Sequence, residues 1–109
     1  MIPAFAARGK SIRSAMENKE KIKQRMLREG FSIISEYDDP PNEVFPDHDH
    51  PGDQLLIIVR GSIEVTVSGK TSILKPRDEI FFPAKVVHKA KIGPEGCLYI
   101  DGERPAAQE

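Results

Sequence analysis

Residues 48–70 read HDHPGDQLLIIVRGSIEVTVSGK, and this stretch decides how the chain is understood. Residues 55–59, LLIIV, are apolar without a break. Residues 62–68 alternate instead, with Ile63, Val65 and Val67 on one face, the period-two pattern of a strand with one face on a core. Gly61 separates the two runs, and Ser68-Gly69 turns the chain back into residues 71–74. A strand that is apolar on both faces needs cover on both. Residues 55–59 are therefore expected to face the core on one side and to lie under a helix or a second copy of the chain on the other. Just upstream stand His48 and His50, at i and i+2, a spacing that puts both imidazoles on one face of a strand.

The same short period extends outward. Residues 31–37, 80–82, 86–92 and 97–100 are strand candidates. Asp38-Asp39-Pro40-Pro41, Pro51-Gly52, Pro76, Pro83, Gly93-Pro94 and Asp101-Gly102 punctuate them. Strands this short, separated by turn signals about every 8–12 residues, predict an all-β sandwich or barrel with Greek-key or jelly-roll connections. No helical crossover is read between the strands, which argues against a parallel sheet.

Ahead of the strands the pattern is helical. Ser14-Ala15-Met16-Glu17 has the spacing of a capping box, and good helix formers fill residues 16–29. Ile22, Met26 and Leu27 form the expected buried stripe, Lys19, Lys23 and Arg25 the expected wet face, and Gly30 the C′ residue. Residues 1–13 read as a tail, and Met16 offers a second start. The expected division is a tail and amphipathic helix over 1–30 and a β-barrel over 31–109.

A chain of 109 residues suits one domain. Hydrophobic residues at 39% and charged residues at 30% indicate a globular fold. No apolar run reaches the roughly 18 residues of a membrane span. Cys97 is the only cysteine, which excludes a disulfide framework and any thiolate-built zinc or iron–sulfur site, and points to a reduced, cytoplasmic setting. The net charge of −1 is unevenly spread: residues 1–28 carry +6 and the rest −7. No aromatics interleave with the basic residues, so they read as a solvated helix face, and a nucleic-acid partner is not expected.

All three histidines fall in the β region. His48 and His50 can converge on one ion, and His88 on a later strand can join them. Three neutral imidazoles suit a divalent transition metal.

Here the chain resembles the cupin superfamily. The first cupin motif runs G, five residues, H-x-H, three or four residues, E, six residues, G. This chain has Asn42, His48-Asp49-His50, Gln54 and Gly61 in that register. The second motif runs G, five residues, P-x-G, two residues, H, three residues, N. Here Arg77, Pro83-Ala84-Lys85, His88 and Ile92 hold those places. The resemblance covers roughly residues 31–101. It implies a mainly β fold, a double-stranded β-helix or jelly-roll barrel, with one divalent ion inside (Zn, Ni, Fe, Mn or Co) on His48, His50, Gln54 and His88. Gln54 stands where the family has Glu and is neutral, so the ion is expected to be bound less tightly, to be a stronger Lewis acid and to favour an anionic ligand. Asn42, Arg77 and Lys85 replace glycines that often hold positive-φ turns. Arg and Lys adopt that conformation less readily, so the local backbone is expected to depart from the family there.

The string H-x-H-P-x-x-Q is similar to small cupins of pectin degradation that convert unsaturated uronates to open keto sugars. The resemblance thus implies a metal-dependent enzyme acting on a small oxygen-rich, anionic metabolite, isomerase- or tautomerase-like. An Fe(II) dioxygenase and a non-catalytic metal- or sugar-binding sensor stand as alternatives. It also implies a homodimer, and catalytic candidates Tyr99 and Asp101 on the last barrel strand. Glu36, Tyr37 and Arg104 are further polar residues at strand ends that could reach the barrel mouth. Asp47 and Asp49 should point away from the ion by strand parity, and Cys97 should be a buried apolar filler.

Overall fold

In a computed structural model of the chain, the structure describes residues 5–7 and 19–106. Among the described residues there are seven strands and one helix: β1 (Phe5–Ala7), α1 (Lys19–Arg28), β2 (Ile33–Asp39), β3 (Val44–His48), β4 (Asp53–Val67), β5 (Lys70–Leu74), β6 (Glu79–Phe82) and β7 (His88–Arg104). Every strand pairing is antiparallel. The fold is the all-β barrel expected from the strand pattern, in the double-stranded β-helix form that the cupin resemblance implies. No described helix is long and apolar enough to cross a membrane.

β4 and β7 run through both halves of the barrel. The first half of β4 pairs with β6 and with the end of β7, giving the order β1-β6-β4-β7-β2. Its second half pairs with β5 and with the start of β7, whose other neighbour is β3. The runs 55–59 and 62–67 are thus one strand, as are 88–92 and 97–100, with Val86 and Val87 in the turn before β7. Gly61 and Gly93-Pro94 act as bends inside strands rather than as turns between them. The register shifts between Ile58 and Arg60 and again between Gly61 and Ile63. Bulges of this kind add twist and let a strand swing from one sheet to the other. Gly61 is required at the bend, because its φ is +81° and a Cβ there would meet the Gly96 carbonyl oxygen at 2.0 Å.

Strand parity divides the core in two. Leu56, Ile58, Ile63, Val65, Leu74, Phe82, Ile92 and Cys97 point into the barrel. Leu55, Ile57, Val59, Leu98 and Ile100 point out of it and pack with Met26 and Phe31. α1 and the residues that follow it therefore cover the second apolar face of residues 55–59, so that face does not itself require a second copy of the chain. The helix ends in a Schellman motif: Gly30 N–H donates to the Leu27 carbonyl at 3.0 Å and Phe31 N–H to that of Met26 at 2.9 Å, with Gly30 at φ +92°.

The helix surface differs from the sequence reading in two respects. Leu27 is 58% exposed, so the buried stripe is Ile22 and Met26 alone. Lys19, Lys23 and Arg25 are not merely solvated. Lys19 and Lys23 pair with Glu36, and Arg25 grips Glu79 with two hydrogen bonds of 2.7 and 2.9 Å. Phe5–Ala7, read as part of a tail, forms β1 against β6. The capping box at Ser14–Glu17 lies outside the described residues.

Asn42, Arg77 and Lys85 have φ of 65°, 79° and 67°. The backbone is left-handed at all three positions where the cupin motifs carry glycine, so the change of local backbone expected at Arg77 and Lys85 is not found. Hydrogen bonds hold the two costly ones: Arg77 N–H donates to the Ile58 carbonyl at 3.0 Å and Lys85 N–H to that of His50 at 2.8 Å. A non-glycine left-handed residue costs on the order of 1–2 kcal/mol, which a well-placed hydrogen bond and the surrounding packing can offset.

The two leucine-sized residues at neighbouring helix positions give a direct check. Met26→Ala empties a fully buried site and is expected to destabilise the protein by about 2–5 kcal/mol in denaturant unfolding. Leu27→Ala is expected to fall within about 0.5 kcal/mol of the parent. Equal losses would contradict the packing described here.

Candidate metal centre

His48, His50 and His88 converge at one end of the barrel. One ligand atom from each lies within 4.8 Å of the others, a spread that one ion can span. His48 ends β3 and His88 begins β7, and the two are register partners. His50 lies just beyond the strand, in the turn that leads into β4, so the i, i+2 spacing survives although only His48 is on a strand. Asp47 and Asp49 between and beside them are exposed, as parity requires.

Hydrogen bonds set the tautomers of two of the rings. His48 Nδ1 lies 2.7 Å from the Pro46 carbonyl and His88 Nδ1 2.9 Å from that of Val86. A carbonyl only accepts, so each Nδ1 carries the proton and each Nε2 lone pair is left free, the usual arrangement of a metal-ligating imidazole. The His88 ring also stacks on Phe82 with centroids 3.9 Å apart. Burial lowers the His88 pKa from 6.5 to about 4, which keeps it neutral. His50 presents Nδ1 to Glu103 at 4.0 Å, and its Nε2 is buried without a hydrogen-bond partner.

Gln54 is the second residue of β4 and points inward by the parity of Leu56 and Ile58. Its amide nitrogen donates to Asp101 Oδ1 at 3.1 Å, which fixes the amide so that Oε1 is turned away from Asp101. That oxygen is buried and has no partner. A buried acceptor without a donor is costly, on the order of 1–3 kcal/mol. The Gln54 oxygen lines the same cavity as a second buried polar atom without a partner, His50 Nε2. Gln54 Oε1 is an electron-pair donor, as is His50 Nε2 when its ring proton sits on Nδ1 toward Glu103, and the residues present fit a bound cation.

The cavity is about 320 Å³, large enough for a small metabolite. Tyr99 and Asp101 both line it. The Tyr99 hydroxyl donates to Asp39 Oδ2 at 2.6 Å, and burial holds its proton well above the usual phenol range. Burial also raises the Asp101 pKa from 3.8 to about 6, against the lowering effect of the Gln54 amide; Glu103, beside it, raises it further. Tyr37 lies at the rim, its ring 5.6 Å from that of Tyr99. Glu36 and Arg104, read as candidates for the barrel mouth, are elsewhere. Glu36 faces the lysines of α1, and Arg104 lies on the outer face against Asp53 and Phe31. Asp39 and Glu103 are cavity residues that the sequence reading missed. Cys97 is buried in the core as expected, its thiol pushed up to about 12 by burial.

The two shifted groups act oppositely on the stability of the metal-free protein. His88 resists protonation until about pH 4, whereas an unfolded histidine titrates near 6.5, so its contribution is full above pH 6.5 and is lost as pH falls toward 4. Asp101, raised to about 6, contributes in the other sense: it gains as pH falls from 6 toward 3.8. Asp101→Asn should therefore expose the His88 effect. Thermal melts in chelator should show the variant losing Tm more steeply than the parent between pH 6.5 and 4. Parallel curves would contradict the assignment.

Comparisons with known proteins agree with this architecture. Among curated proteins none matches the chain. Several solved structures do. KdgF from Halomonas sp. shares 27% identity over 68% of this chain and 69% of its own, with a TM-score of 0.62. An RmlC-like cupin from Shewanella frigidimarina shares 28% over 70% of this chain and 68% of its own, with a TM-score of 0.62. The DMSP lyase DddQ from Ruegeria pomeroyi, at 21% identity over 70% of this chain and 38% of its own (TM-score 0.59), shares the fold alone. The Cupin domain family matches residues 35–103, which include all three histidines, Gln54 and the cavity strands, and the chain belongs to the cupin family.

Proposed function

We propose that the chain is a metal-dependent cupin enzyme that isomerises or tautomerises a small oxygen-rich metabolite, with His48, His50, Gln54 and His88 holding one divalent ion. The observation that carries this reading is the pair of buried, unpartnered donors, His50 Nε2 and Gln54 Oε1, beside two imidazoles whose Nε2 lone pairs are free. A divalent ion bound there supplies Lewis acidity toward a carbonyl or hydroxyl oxygen. The chain's own residues supply the rest. Asp101 orients the Gln54 amide and, at the cavity wall, is placed to take a proton from the ligand and return it elsewhere. Tyr99, which keeps its proton and donates it to Asp39 in a hydrogen bond, offers its oxygen lone pairs to a ligand hydroxyl. Phe82, Leu56, Ile63 and Val65 form the apolar part of the wall and limit water around the reacting group.

Two carboxylates beside the metal donors suit proton transfer, which isomerisation needs at both ends of the reaction, and this favours it over the Fe(II) dioxygenase. Among the described residues no lysine or arginine lines the cavity, so from these an anionic group on the ligand would have its charge met by the ion alone. The ligand preference is therefore expected to follow its oxygen donors more than its net charge.

Untagged protein is expected to carry one divalent ion per chain by elemental analysis, and His88→Ala to carry none. Zn, Ni, Co, Mn or Fe(II) should each raise the parent Tm; a protein that binds none of them contradicts the reading. With candidate sugar acids and sugars in D2O, proton NMR should reveal deuterium incorporation and isomer formation. Asp101→Asn should slow this by about 10²–10⁴ while still binding the ion. Oxygen consumption without isomer formation would favour the dioxygenase, and ligand binding without either would favour the sensor.

A further inference from the structure

We propose that Asp53 is a positioning residue of the metal centre, holding the turn that carries His50 in register with the turn that delivers His88. This rests on the reading that these histidines ligate an ion. Asp53 precedes Gln54 and has the opposite parity, so its side chain leaves the barrel and cannot reach the cavity. It is nevertheless only 8% exposed. A carboxylate sheltered to this degree is costly unless each oxygen is matched. Both oxygens of Asp53 are. Oδ1 accepts from the Ala84 backbone N–H at 2.9 Å, and Oδ2 accepts from Arg104 Nε at 3.1 Å.

Ala84 belongs to the turn between β6 and β7, and four residues later that turn becomes His88. The next residue, Lys85, donates its backbone N–H to the His50 carbonyl at 2.8 Å from a left-handed conformation. The two ligand-bearing turns are thus joined at two adjacent residues, once through backbone and once through the Asp53 carboxylate. A single hydrogen bond would leave a pivot, whereas two set the relative angle of the turns. Metal ligands tolerate only about 0.5 Å of misplacement, so that angle bears directly on affinity.

Arg104 in turn holds Asp53. Its guanidinium lies 4.5 Å from the Phe31 ring centroid and 5.5 Å from that of Phe81, and Nη1 donates to the Glu29 carbonyl at 2.7 Å. The end of β7 presses on the same turn: a Cβ at Gly52 would meet the Arg104 carbonyl oxygen at 2.2 Å. The arginine is therefore fixed by contacts independent of Asp53, and it lends the carboxylate a rigid anchor. On the inner side of this strand end, Glu103 lies 4.0 Å from His50 Nδ1.

The test uses Co(II), whose visible spectrum reports the coordination geometry. Asp53→Ala should raise the Co(II) Kd about 10–100-fold, the range for losing a group that orients a ligand, and should alter the visible bands. Ala84 and Lys85 amides should exchange faster in the metal-free variant. Asp53→Asn keeps one oxygen for Ala84 but loses the charged pair with Arg104; it should raise the Kd by a smaller factor, and it serves if the alanine variant does not fold. Ile100→Val, in the outer cluster, controls for general destabilisation: it should lower Tm and leave Kd and spectrum unchanged. An Asp53 variant with lowered Tm but the parent's Co(II) Kd and spectrum would overturn the proposal while leaving the metal centre standing. A parent protein that takes up no Co(II) would instead remove the metal centre, and this proposal with it.

Discussion

The two-residue period of β4 is the constraint on which the rest of the molecule depends. Because Leu55, Ile57 and Val59 face out and Leu56 and Ile58 face in, the strand cannot exist without a core on each side. The inner core is the barrel, and the outer core is the seat of α1. The same alternation continues backwards to the strand's first two residues. Gln54 falls on the inner face among the histidines, and Asp53 on the outer face against Arg104. One register therefore sets Gln54, the proposed metal donor, and Asp53, its proposed brace, on opposite faces of the same strand. A shift by one residue would exchange them and bury a carboxylate in the barrel.

Around that strand the centre is organised by the assignment of protons. Pro46 and Val86 carbonyls hold the protons of His48 and His88 on Nδ1, and Asp101 holds the Gln54 amide nitrogen. Each of these bonds leaves an electron pair on the other side. The cavity then carries more donors than the chain itself satisfies. The same wall holds Asp101, Glu103 and Asp39, so acidic side chains stand in the cavity beside the neutral Gln54. The neutral Gln does not make the cavity positive in the way that residues 48–54 alone suggest.

Much of this was legible in the sequence. The alternation at Ile63, Val65 and Val67 and the double-faced run before it predicted the barrel and its cover. His48, His50 and His88 were recognisable by spacing and by the cupin motifs. What was not legible has physical causes. A glycine reads as punctuation, yet Gly61 only bends β4, because a bulge conserves the hydrogen-bonded ladder on either side of it. The left-handed Lys85 goes against its intrinsic preference, and only the His50 carbonyl, distant in sequence, shows why it is tolerated. Glu103 and Arg104 were separable by a signal that was present: from Tyr99 and Asp101 the inward parity continues to Glu103 and excludes Arg104. Asp39 had no such signal, since its role comes from pairing with Tyr99 across β2 and β7. The exposure of Leu27 follows from helix phase, which Met26 and the Phe31 contact after Gly30 set together.

A single ion held by residues from three separate segments of the chain would tie the whole site together. That arrangement is tested most directly by anomalous diffraction from crystals of the Co(II)-loaded protein. The account predicts one strong peak at about 2.0–2.2 Å from nitrogen atoms of His48, His50 and His88, and within the same range of Gln54 Oε1. A peak elsewhere, or one that touches fewer than the three histidines, would contradict it.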